Sequence, residues 1–337
     1  MNTKNNNLIS YANKKVLIIG GLGFIGSNLA HLLVEQGANV TILDNLAPLY
    51  GGNLFNVEDI KDKVTVIIGD VRDEKVVSSL VKNKNIIFNF AAQVSHIDSS
   101  KIPYEDLDIS CRGHLTLLES VRKENPSAKV IFSSSRLVIG KIKENPITEN
   151  HPAEPLSLYG VHKLAAENYT KFYNKNYGIK TVIMRIANPY GERQQIKHSK
   201  YSIPGWFMRL AMEGKSIKIF GSGEQLRDYI FGEDLVYAMA LAGIKEESNG
   251  NIYNLGTGNS VSFKEMVETI VSVVGNGSIE YVAWPENYEK EETGNCEFDI
   301  SKIKRDLGWE PSTSLYEGVK KMYAYYSKYA DKYIEKV

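Results

Sequence analysis

A serine, a tyrosine and a lysine in this 337-residue chain have the types and spacing of a proton-transfer unit. Tyr159 and Lys163 are four residues apart, so on a helix they would share one face. A tyrosine phenol has a pKa of about 10, but a nearby ammonium group favours the phenolate. Ser135, in an upstream serine triplet, could hydrogen-bond to the oxygen that gains or loses the proton. Beside a hydride acceptor, such a unit suits oxidation of a sugar or alcohol hydroxyl to a carbonyl.

The amino-terminal segment has the glycine spacing of a dinucleotide-binding turn. The apolar run 15–19 predicts a buried parallel strand, and a helical pattern of apolar residues follows it. Glycines at this turn let the backbone approach a pyrophosphate and let the helix pack close to the sheet. The helix amino terminus adds free N–H groups and a partial positive charge. The alternative is a tight turn without a ligand. Cofactor contacts are predicted for Gly20, Gly23, Phe24, Ile25 and Gly26.

The ends of the next strands indicate which dinucleotide would bind. The run 39–43 ends at Asp44, where an acid accepts hydrogen bonds from the adenosine ribose and repels a 2′-phosphate. No arginine or lysine follows before Lys61, so NAD is favoured over NADP. Asp70 follows a third apolar run and has a helix cap as its alternative role. Further cofactor contacts at these strand ends are predicted for Asn45, Asp70, Val71, Ala91, Ala92, Gln93 and Ser133.

Three later segments, together with the glycine turn and the Tyr–Lys pair, resemble one protein family. They are residues 185–191 (RIANPYG), 223–230 (GEQLRDYI) and 299–311, which includes LGWEP. The family is the extended short-chain dehydrogenases/reductases, in their nucleotide-sugar epimerase and dehydratase branch and nearest its UDP-glucose 4-epimerase-like members. The resemblance implies an α/β fold: a Rossmann-type doubly wound parallel sheet with a smaller carboxy-terminal α/β substrate lobe. It also implies NAD as the cofactor.

The resemblance assigns roles to individual residues. Tyr159 would accept and donate the proton, and Ser135 would orient the sugar hydroxyl. Tyr159 and Lys163 would also contact the cofactor, where Lys163 would bind the nicotinamide ribose. Asn188 and Arg227 would contact the diphosphate of a nucleotide sugar. The predicted substrate-binding residues, including those argued from departures from the family pattern, are Ser134, Ser135, Arg136, Asn188, Arg193, Phe220 and Arg227.

The departures from the family pattern favour one reaction type. Dehydratases of this branch carry Thr-Asp-Glu where this chain has Ser135, Arg136 and Leu137. An arginine is not deprotonated at working pH, and leucine transfers no protons, so elimination of water lacks its acid and base. Epimerisation is predicted instead, most often at C4 in this branch, by transient oxidation to a keto sugar and re-reduction from the other face. C2 and C5 stay open. The alternatives are a dehydratase, decarboxylase or 4-keto reductase, or a non-catalytic dinucleotide-binding regulator.

Two further departures concern the charges around the substrate. The guanidinium of Arg136 could bind the carboxylate of a uronic acid, with a salt bridge to a loop acid such as Glu149 as the alternative. Glu292 falls roughly where many relatives place an arginine on the diphosphate. A second cation is therefore predicted from the basic loop after Asn188, with a solvated loop as the alternative. The candidates are Arg193, Lys197, His198 and Lys200.

The order of elements predicts two interleaved lobes without a clean linker. Residues 14–185 are assigned to the NAD-binding domain with its catalytic Ser, Tyr and Lys, and 186–330 mainly to the nucleotide-sugar lobe. Residues 1–13 are expected to be a flexible lead. In relatives, helices near 104–124 and 156–177 pack against a second subunit, so a homodimer is expected. Burial of both helices against their own sheet is the alternative.

Composition excludes several function classes. The 40 basic and 40 acidic residues balance, so no global field would recruit nucleic acid or an anionic membrane. Two separated cysteines and the absence of a long apolar run or signal-peptide core predict a cytoplasmic protein without a membrane segment. The six histidines lack the i, i+4 spacing of a helical metal site, so no metal is expected. Of these, His162 is predicted to face solvent.

Overall fold

Short apolar runs of this sequence form the strands of a computed structural model that describes residues 9–48, 50–286 and 292–334. Most strands in the first half are buried on both faces, as continuous apolar runs require in a parallel sheet. The strands are β1 (Lys15–Ile19), β2 (Asn39–Asp44), β3 (Val64–Ile68), β4 (Ile86–Asn89), β5 (Lys129–Ser135), β6 (Thr181–Ile186), β7 (Asn188–Tyr190), β8 (Ser216–Phe220), β9 (Leu226–Arg227), β10 (Tyr229–Phe231), β11 (Ile252–Leu255), β12 (Val261–Ser262) and β13 (Ser278–Val282).

Seven of these strands form one parallel sheet in the order β3-β2-β1-β4-β5-β6-β11. The chain starts at the centre of the sheet, runs to one edge, and then crosses back to extend the other edge. The strand order therefore reverses between β1 and β4, and open α/β sheets bind ligands outside the carboxyl ends of the strands at such a point. This arrangement confirms the predicted Rossmann-type doubly wound sheet.

Helices cover both faces of this sheet because their apolar stripes need a partner. The α-helices of the described residues are α1 (Phe24–Glu35), α2 (Glu74–Val81), α3 (His96–Ser99), α4 (Pro103–Leu107), α5 (His114–Glu124), α6 (Leu158–Tyr177), α7 (Ile203–Met212), α8 (Gly232–Ile244), α9 (Phe263–Val274), α10 (Ser301–Leu307) and α11 (Leu315–Tyr329). One apolar core joins α1, α8 and α10 to one face of the sheet. A second core joins α2, α5 and α6 to the other face.

A smaller lobe has its own apolar core, formed by α7, α9 and α11 against the parallel pair β8 and β13. This agrees with the predicted carboxy-terminal α/β lobe. The chain boundary near residue 185 does not separate the two cores, however. Strand β11 completes the large sheet, and α8 and α10 pack on it, although all three come from the second half of the chain.

The predicted flexible lead is wrong for residues 9–13, while residues 1–8 lie outside the described residues. Ile9 and Tyr11 are buried in the core on the α8 face of the sheet. The hydroxyl of Tyr11 donates to the carbonyl of Ala240 at 2.7 Å. These two apolar residues attach residues 9–11 to the sheet.

Among the described residues, no helix is both long and apolar enough to cross a membrane.

Candidate active site

A cavity of about 750 Å³ lies at the carboxyl ends of the sheet strands, between the sheet and the smaller lobe. Most of the predicted site residues line it. They are Gly20, Gly23, Phe24, Ile25, Gly26, Asp44, Asn45, Asp70, Val71, Ala91, Ala92, Ser133, Ser134, Ser135, Arg136, Tyr159, Lys163, Asn188, Phe220 and Arg227.

The glycine turn after β1 holds its shape because side chains would not fit there. Gly20 has a φ of +77°, and a Cβ on it would lie 2.9 Å from the backbone nitrogen of Ala91. A Cβ on Gly26 would lie 2.3 Å from the carbonyl oxygen of Gly20. Helix α1 then starts at Phe24, and its N-cap residue Gly23 has no side chain, so the first N–H groups of the helix have no side-chain acceptor there. The turn is therefore a backbone cradle suited to an anion.

Asp44 ends β2 beside this cradle. Its carboxylate accepts hydrogen bonds from the backbone N–H groups of Leu22 and Leu46, both at 2.9 Å. Burial raises its pKa, and the two N–H donors act against that shift. Because a carboxylate has about four acceptor positions, Asp44 can still accept bonds from a ligand in the cavity.

Asp70, at the end of β3, is held by charge rather than by capping a helix. Arg72 donates to it through two guanidinium nitrogens at 2.8 and 2.7 Å, and Asn45 donates at 3.0 Å. The hydrogen bonds from Arg72 lower the pKa of Asp70 to about 2. The cap of α2 is Asp73, so the alternative role considered for Asp70 is wrong.

The structure assembles Ser135, Tyr159 and Lys163 at one end of the cavity. Ser157 caps α6, which places Tyr159 in the first turn of the helix and Lys163 one turn later. The Lys163 ammonium donates to the carbonyl of Ser133 at 2.9 Å, and the Tyr159 phenol hydrogen-bonds to the Ser135 hydroxyl. Burial raises the pKa of Tyr159, while the bond from Ser135 lowers it. Burial also lowers the pKa of Lys163 to about 8, so the ammonium form still predominates at pH 7.

His162, between these two residues in sequence, does not face solvent as predicted. It is buried, and its Nδ1 lies 2.6 Å from a carboxylate oxygen of Asp106, which is itself fully buried. The prediction failed because α4, which carries Asp106, packs on this face of α6, and the sequence does not indicate that packing. The contact joins the Tyr159–Lys163 turn to its neighbouring helix.

Ser134, predicted to contact substrate, donates its hydroxyl to Glu167 at 2.6 Å. Glu167 also accepts from two nitrogens of Arg185, at 2.9 and 2.8 Å, and both side chains are almost completely buried. Ser134 and Ser135 thus meet two different residues of the same helix, Glu167 and Tyr159. The Ser134 hydroxyl therefore attaches α6 to β5, and β6 is attached through Arg185.

Arg136 lines the cavity immediately after Ser135. Its Nε donates to the side-chain oxygen of Asn188 at 3.0 Å, and its Nη1 donates to the hydroxyl of Thr293 at 3.1 Å. The alternative salt bridge to Glu149 is wrong, because the guanidinium binds Asn188 and Thr293 and forms no ion pair with Glu149, which accepts instead from the backbone of Asn254. Among the described residues, no carboxylate lies within ion-pair distance of Arg136.

Arg227 is also in the cavity, but its charge is paired. One of its nitrogens donates to both carboxylate oxygens of Glu292, at 2.6 and 2.7 Å, and another donates to backbone carbonyls. Glu292 is therefore ion-paired with Arg227, the residue that the resemblance assigns to the diphosphate. Glu292 thus lies at the position where the resemblance implies an arginine on the diphosphate.

An aromatic pair that the sequence analysis missed lies at the smaller lobe. Trp284 follows β13, which runs parallel to β8 and places Val282 beside Phe220. The Phe220 and Trp284 rings are 5.8 Å apart between centroids, and both line the cavity. The parallel register of β8 and β13 brings Trp284 next to Phe220. That register cannot be read from a single sequence.

Two predicted residues do not line the cavity. Arg193 donates to the side chain of Asn28 at 3.0 Å and lies over the ring of Tyr325, so it joins α1 to α11. Gln93 is fully buried, and its side-chain oxygen accepts from the backbone of Ser95. Of the four candidate cations in the basic loop, Lys200 lines the cavity, where it pairs with Asp98 at 2.9 Å.

The same fold occurs in characterised relatives. The chain is 31% identical over 310 residues to the UDP-glucose 4-epimerase of Mycolicibacterium smegmatis, covering 91% of this chain and 96% of that protein. The UDP-glucose 4-epimerase of Thermotoga maritima, solved with UDP-glucose, superposes with a TM-score of 0.86 at 30% identity, covering 94% of this chain and 100% of that chain. The dTDP-glucose 4,6-dehydratase of Bacillus anthracis, solved with NAD, gives 0.83 at 28% identity, covering 95% of this chain and 98% of that chain.

A family model matches nearly the whole chain. It is described as GDP-mannose 4,6 dehydratase and matches residues 17–322. The chain therefore belongs to the GDP-mannose 4,6 dehydratase family of extended short-chain dehydrogenases/reductases.

Proposed function

We propose that this protein is an NAD-dependent nucleotide-sugar epimerase that acts at C4. The observation that carries the proposal is the combination of an assembled Ser135–Tyr159–Lys163 unit with Arg136 and Leu137 beside it. The unit can move a proton to or from a sugar hydroxyl, and its two neighbours have no acid or base function at working pH.

NAD fits the amino-terminal half of the cavity. The turn from Gly20 to Gly26 would hold the pyrophosphate on backbone N–H groups, since side chains there would fill the cradle. Asp44 would accept hydrogen bonds from the adenosine ribose hydroxyls, and its negative charge disfavours a 2′-phosphate. When bound, NAD accepts a hydride from the sugar carbon and returns it.

Three residues would carry the proton chemistry. Tyr159 takes the proton of the sugar hydroxyl while the carbon is oxidised and returns it on reduction. The Lys163 ammonium lies 5.8 Å from the centre of the Tyr159 ring, where its charge favours the phenolate. Ser135 already hydrogen-bonds to the phenol and can hold the same sugar oxygen. Rotation of the keto sugar between the two half-reactions would expose its other face.

The acids in the cavity count against dehydration. Among the described residues that line it, the carboxylates are those of Asp44, Asp70 and Glu292. Asp44 and Asp70 are at the proposed adenosine end, and Glu292 is bound to Arg227. Removing water from a sugar needs both an acid for the leaving hydroxyl and a base for the carbon proton.

Mass-resolved chromatography after incubation with a panel of nucleotide sugars tests the proposal. An isomer of unchanged mass is expected, and it would identify the nucleotide and the sugar. A product lighter by one water would instead show dehydration. If no sugar of the panel gave a product although the protein bound NAD, the proposed enzymatic activity would be contradicted. A non-catalytic dinucleotide-binding regulator would then be favoured.

Gly26→Ala is expected to abolish tight NAD binding. The added methyl group would lie 2.3 Å from the Gly20 carbonyl oxygen and 2.6 Å from the Gly21 Cα, so the cradle must open. We expect at least about a tenfold rise in Kd, or ~1.4 kcal/mol. Isothermal titration calorimetry with NAD measures it. Gly308→Ala, at a left-handed glycine with no atom near its Cβ position, controls for general destabilisation. Equal NAD affinity in Gly26→Ala would contradict the cradle.

Glu292→Gln is expected to tighten binding of UDP. The carboxylate occupies Arg227 and repels a diphosphate, so its removal frees one cation and removes one like charge. An increase in affinity of about three- to tenfold corresponds to ~0.7–1.4 kcal/mol. Calorimetric titration with UDP at fixed ionic strength measures it. Glu224→Gln, an exposed acid near Lys264, is the matched control. Weaker UDP binding in Glu292→Gln would show that Glu292 supports the site instead.

A homodimer through α4–α5 and α6 belongs to the same proposal. These helices expose large apolar side chains: Tyr104 is 85% exposed, Leu107 44%, Val161 43% and Phe172 51%. Apolar groups concentrated on adjacent helices are typical of an interface. Tyr104→Glu should therefore convert a dimer to a monomer in light scattering after size exclusion. Tyr316→Glu, an exposed tyrosine on α11, should leave it unchanged. A wild-type monomer would contradict this interface.

A further inference from the structure

Within the described part of the chain, the guanidinium of Arg136 has neutral hydrogen-bond partners only. It donates to the amide oxygen of Asn188 and to the hydroxyl of Thr293. An arginine carries five N–H donors in a planar fork, so further donors remain for a ligand. Because Arg136 also lines the cavity, a bound molecule can reach it.

Two other arginines near the site show how this protein normally pairs such charges. Arg185 pairs with Glu167, and Arg227 pairs with Glu292. Among the described residues, the titratable groups whose charge acts on Arg136 include the thiol of Cys296, Arg227, Glu292 and Tyr229. Glu292 is already bound to Arg227. A partly buried cation without a carboxylate partner is costly, and an anionic ligand would remove that cost.

The position of Arg136 indicates which anionic group this is. Arg136 directly follows Ser135, whose hydroxyl contacts the Tyr159 phenol, so it lies at the end where the sugar hydroxyl would react. Arg227 is on β9 and is held by Glu292, whereas Arg136 is held by the next residue, Thr293. The resemblance assigns the diphosphate to Arg227, and Arg136, which is next to Ser135 in the chain, is therefore assigned to the sugar.

We propose that Arg136 recognises a carboxylate on the sugar, so that the substrate class is a nucleotide uronate. This inference rests on the proposed function, since it names the substrate of the same site. The planar fork of a guanidinium matches a carboxylate with two parallel hydrogen bonds. Asn188 and Thr293 hold the fork by its Nε and Nη1 and so orient the remaining N–H groups.

The test compares wild type, Arg136→Met and Arg136→Lys with UDP-glucuronate, UDP-glucose and UDP. Binding is measured by calorimetry and isomerisation by chromatography. Wild type is expected to bind and isomerise the uronate better than UDP-glucose. Arg136→Met should lose about 10- to 100-fold in uronate kcat/KM and affinity, the range of a charged hydrogen bond, and the loss for UDP-glucose and UDP should be clearly smaller. Arg136→Lys should recover part of the loss. Unchanged melting temperatures establish that the variants fold.

Several outcomes would overturn the inference. Equal losses for UDP-glucuronate, UDP-glucose and UDP would place Arg136 on the diphosphate. If wild type showed no preference for the uronate, recognition of a carboxylate by Arg136 would be refuted. Turnover of UDP-glucose in the same experiment would leave the proposed function intact. If wild type isomerised neither of these sugars nor any other nucleotide sugar of the panel, the proposed function would fail. In that case, if wild type bound UDP-glucuronate more tightly than UDP-glucose and Arg136→Met did not, the role of Arg136 would still be supported. If wild type showed no such difference in affinity, that role would be overturned.

Discussion

Tyr159→Phe is expected to lower nucleotide-sugar turnover by about 10²- to 10⁴-fold, the usual contribution of a positioned acid–base group. The variant keeps the ring against Lys163 and loses only the hydroxyl that would move the proton. NAD affinity should change little, because the cradle at the other end of the cavity is untouched. Steady-state turnover of the substrate found in the panel, together with calorimetric titration of NAD, measures both effects.

A matched control is available on the same helix. Tyr173 lies in α6, remote from the cavity, and its hydroxyl donates to Glu119 at 2.6 Å. Tyr173→Phe removes a phenol hydroxyl of the same kind and should keep wild-type turnover. Full turnover in Tyr159→Phe would contradict the mechanism. Loss of NAD binding in that variant would instead show that the tyrosine has a mainly structural role.

Glu167→Ala is expected to destabilise the protein by about 3–5 kcal/mol, the cost of leaving one partner of a buried ion pair without its counterion. Arg185 would then be a charge that is 4% exposed, with its remaining bond to the carbonyl of Glu149. Ser134 would lose its acceptor as well. Because α6 carries Tyr159 and Lys163, the variant should also lose turnover. Chemical denaturation monitored by circular dichroism measures the free energy of unfolding.

Two further variants separate charge burial from packing. Glu154→Ala removes an acid from an exposed pair with Lys143, and such pairs contribute between 0 and about 1 kcal/mol. The double variant Glu167→Met, Arg185→Met replaces both buried charges by apolar groups and should recover much of the lost stability. If Glu167→Ala were as stable as Glu154→Ala, the pair would not be holding α6 in place.

Local patterns in the sequence were sufficient for the Rossmann-type sheet and for its cofactor end. The apolar run 15–19 and the glycines from Gly20 to Gly26 act within a few residues of one another, so strand, turn and helix follow from their own steric needs. Tyr159 and Lys163 share a helix face for the same reason. The position of Asp44 at a strand end is equally local. These predictions depend on contacts along the chain, which the order of residues specifies directly.

The tertiary structure determined which side chains from distant parts of the chain form hydrogen bonds and ion pairs with one another. Ser134 turns to Glu167, His162 pairs with Asp106, and Arg193 joins α1 to α11 instead of reaching the cavity. In each case the side chain responds to a helix whose packing depends on the whole core. A single sequence gives the residue types but not which charge meets which. Arg136 shows the difference well, because its alternative partner Glu149 is bound elsewhere.

The sequence by itself determined the family, the sheet and the identity of the Ser, Tyr and Lys that can move a proton. These follow from short-range spacing, where sterics and helix periodicity leave few alternatives. Only the tertiary structure decided the charge pattern at the proposed substrate end of the cavity. It paired Arg227 with Glu292, left Arg136 without a carboxylate partner among the described residues, and placed Trp284 beside Phe220. The reason is that charge pairing and ring contact depend on distances through space between residues far apart in the chain.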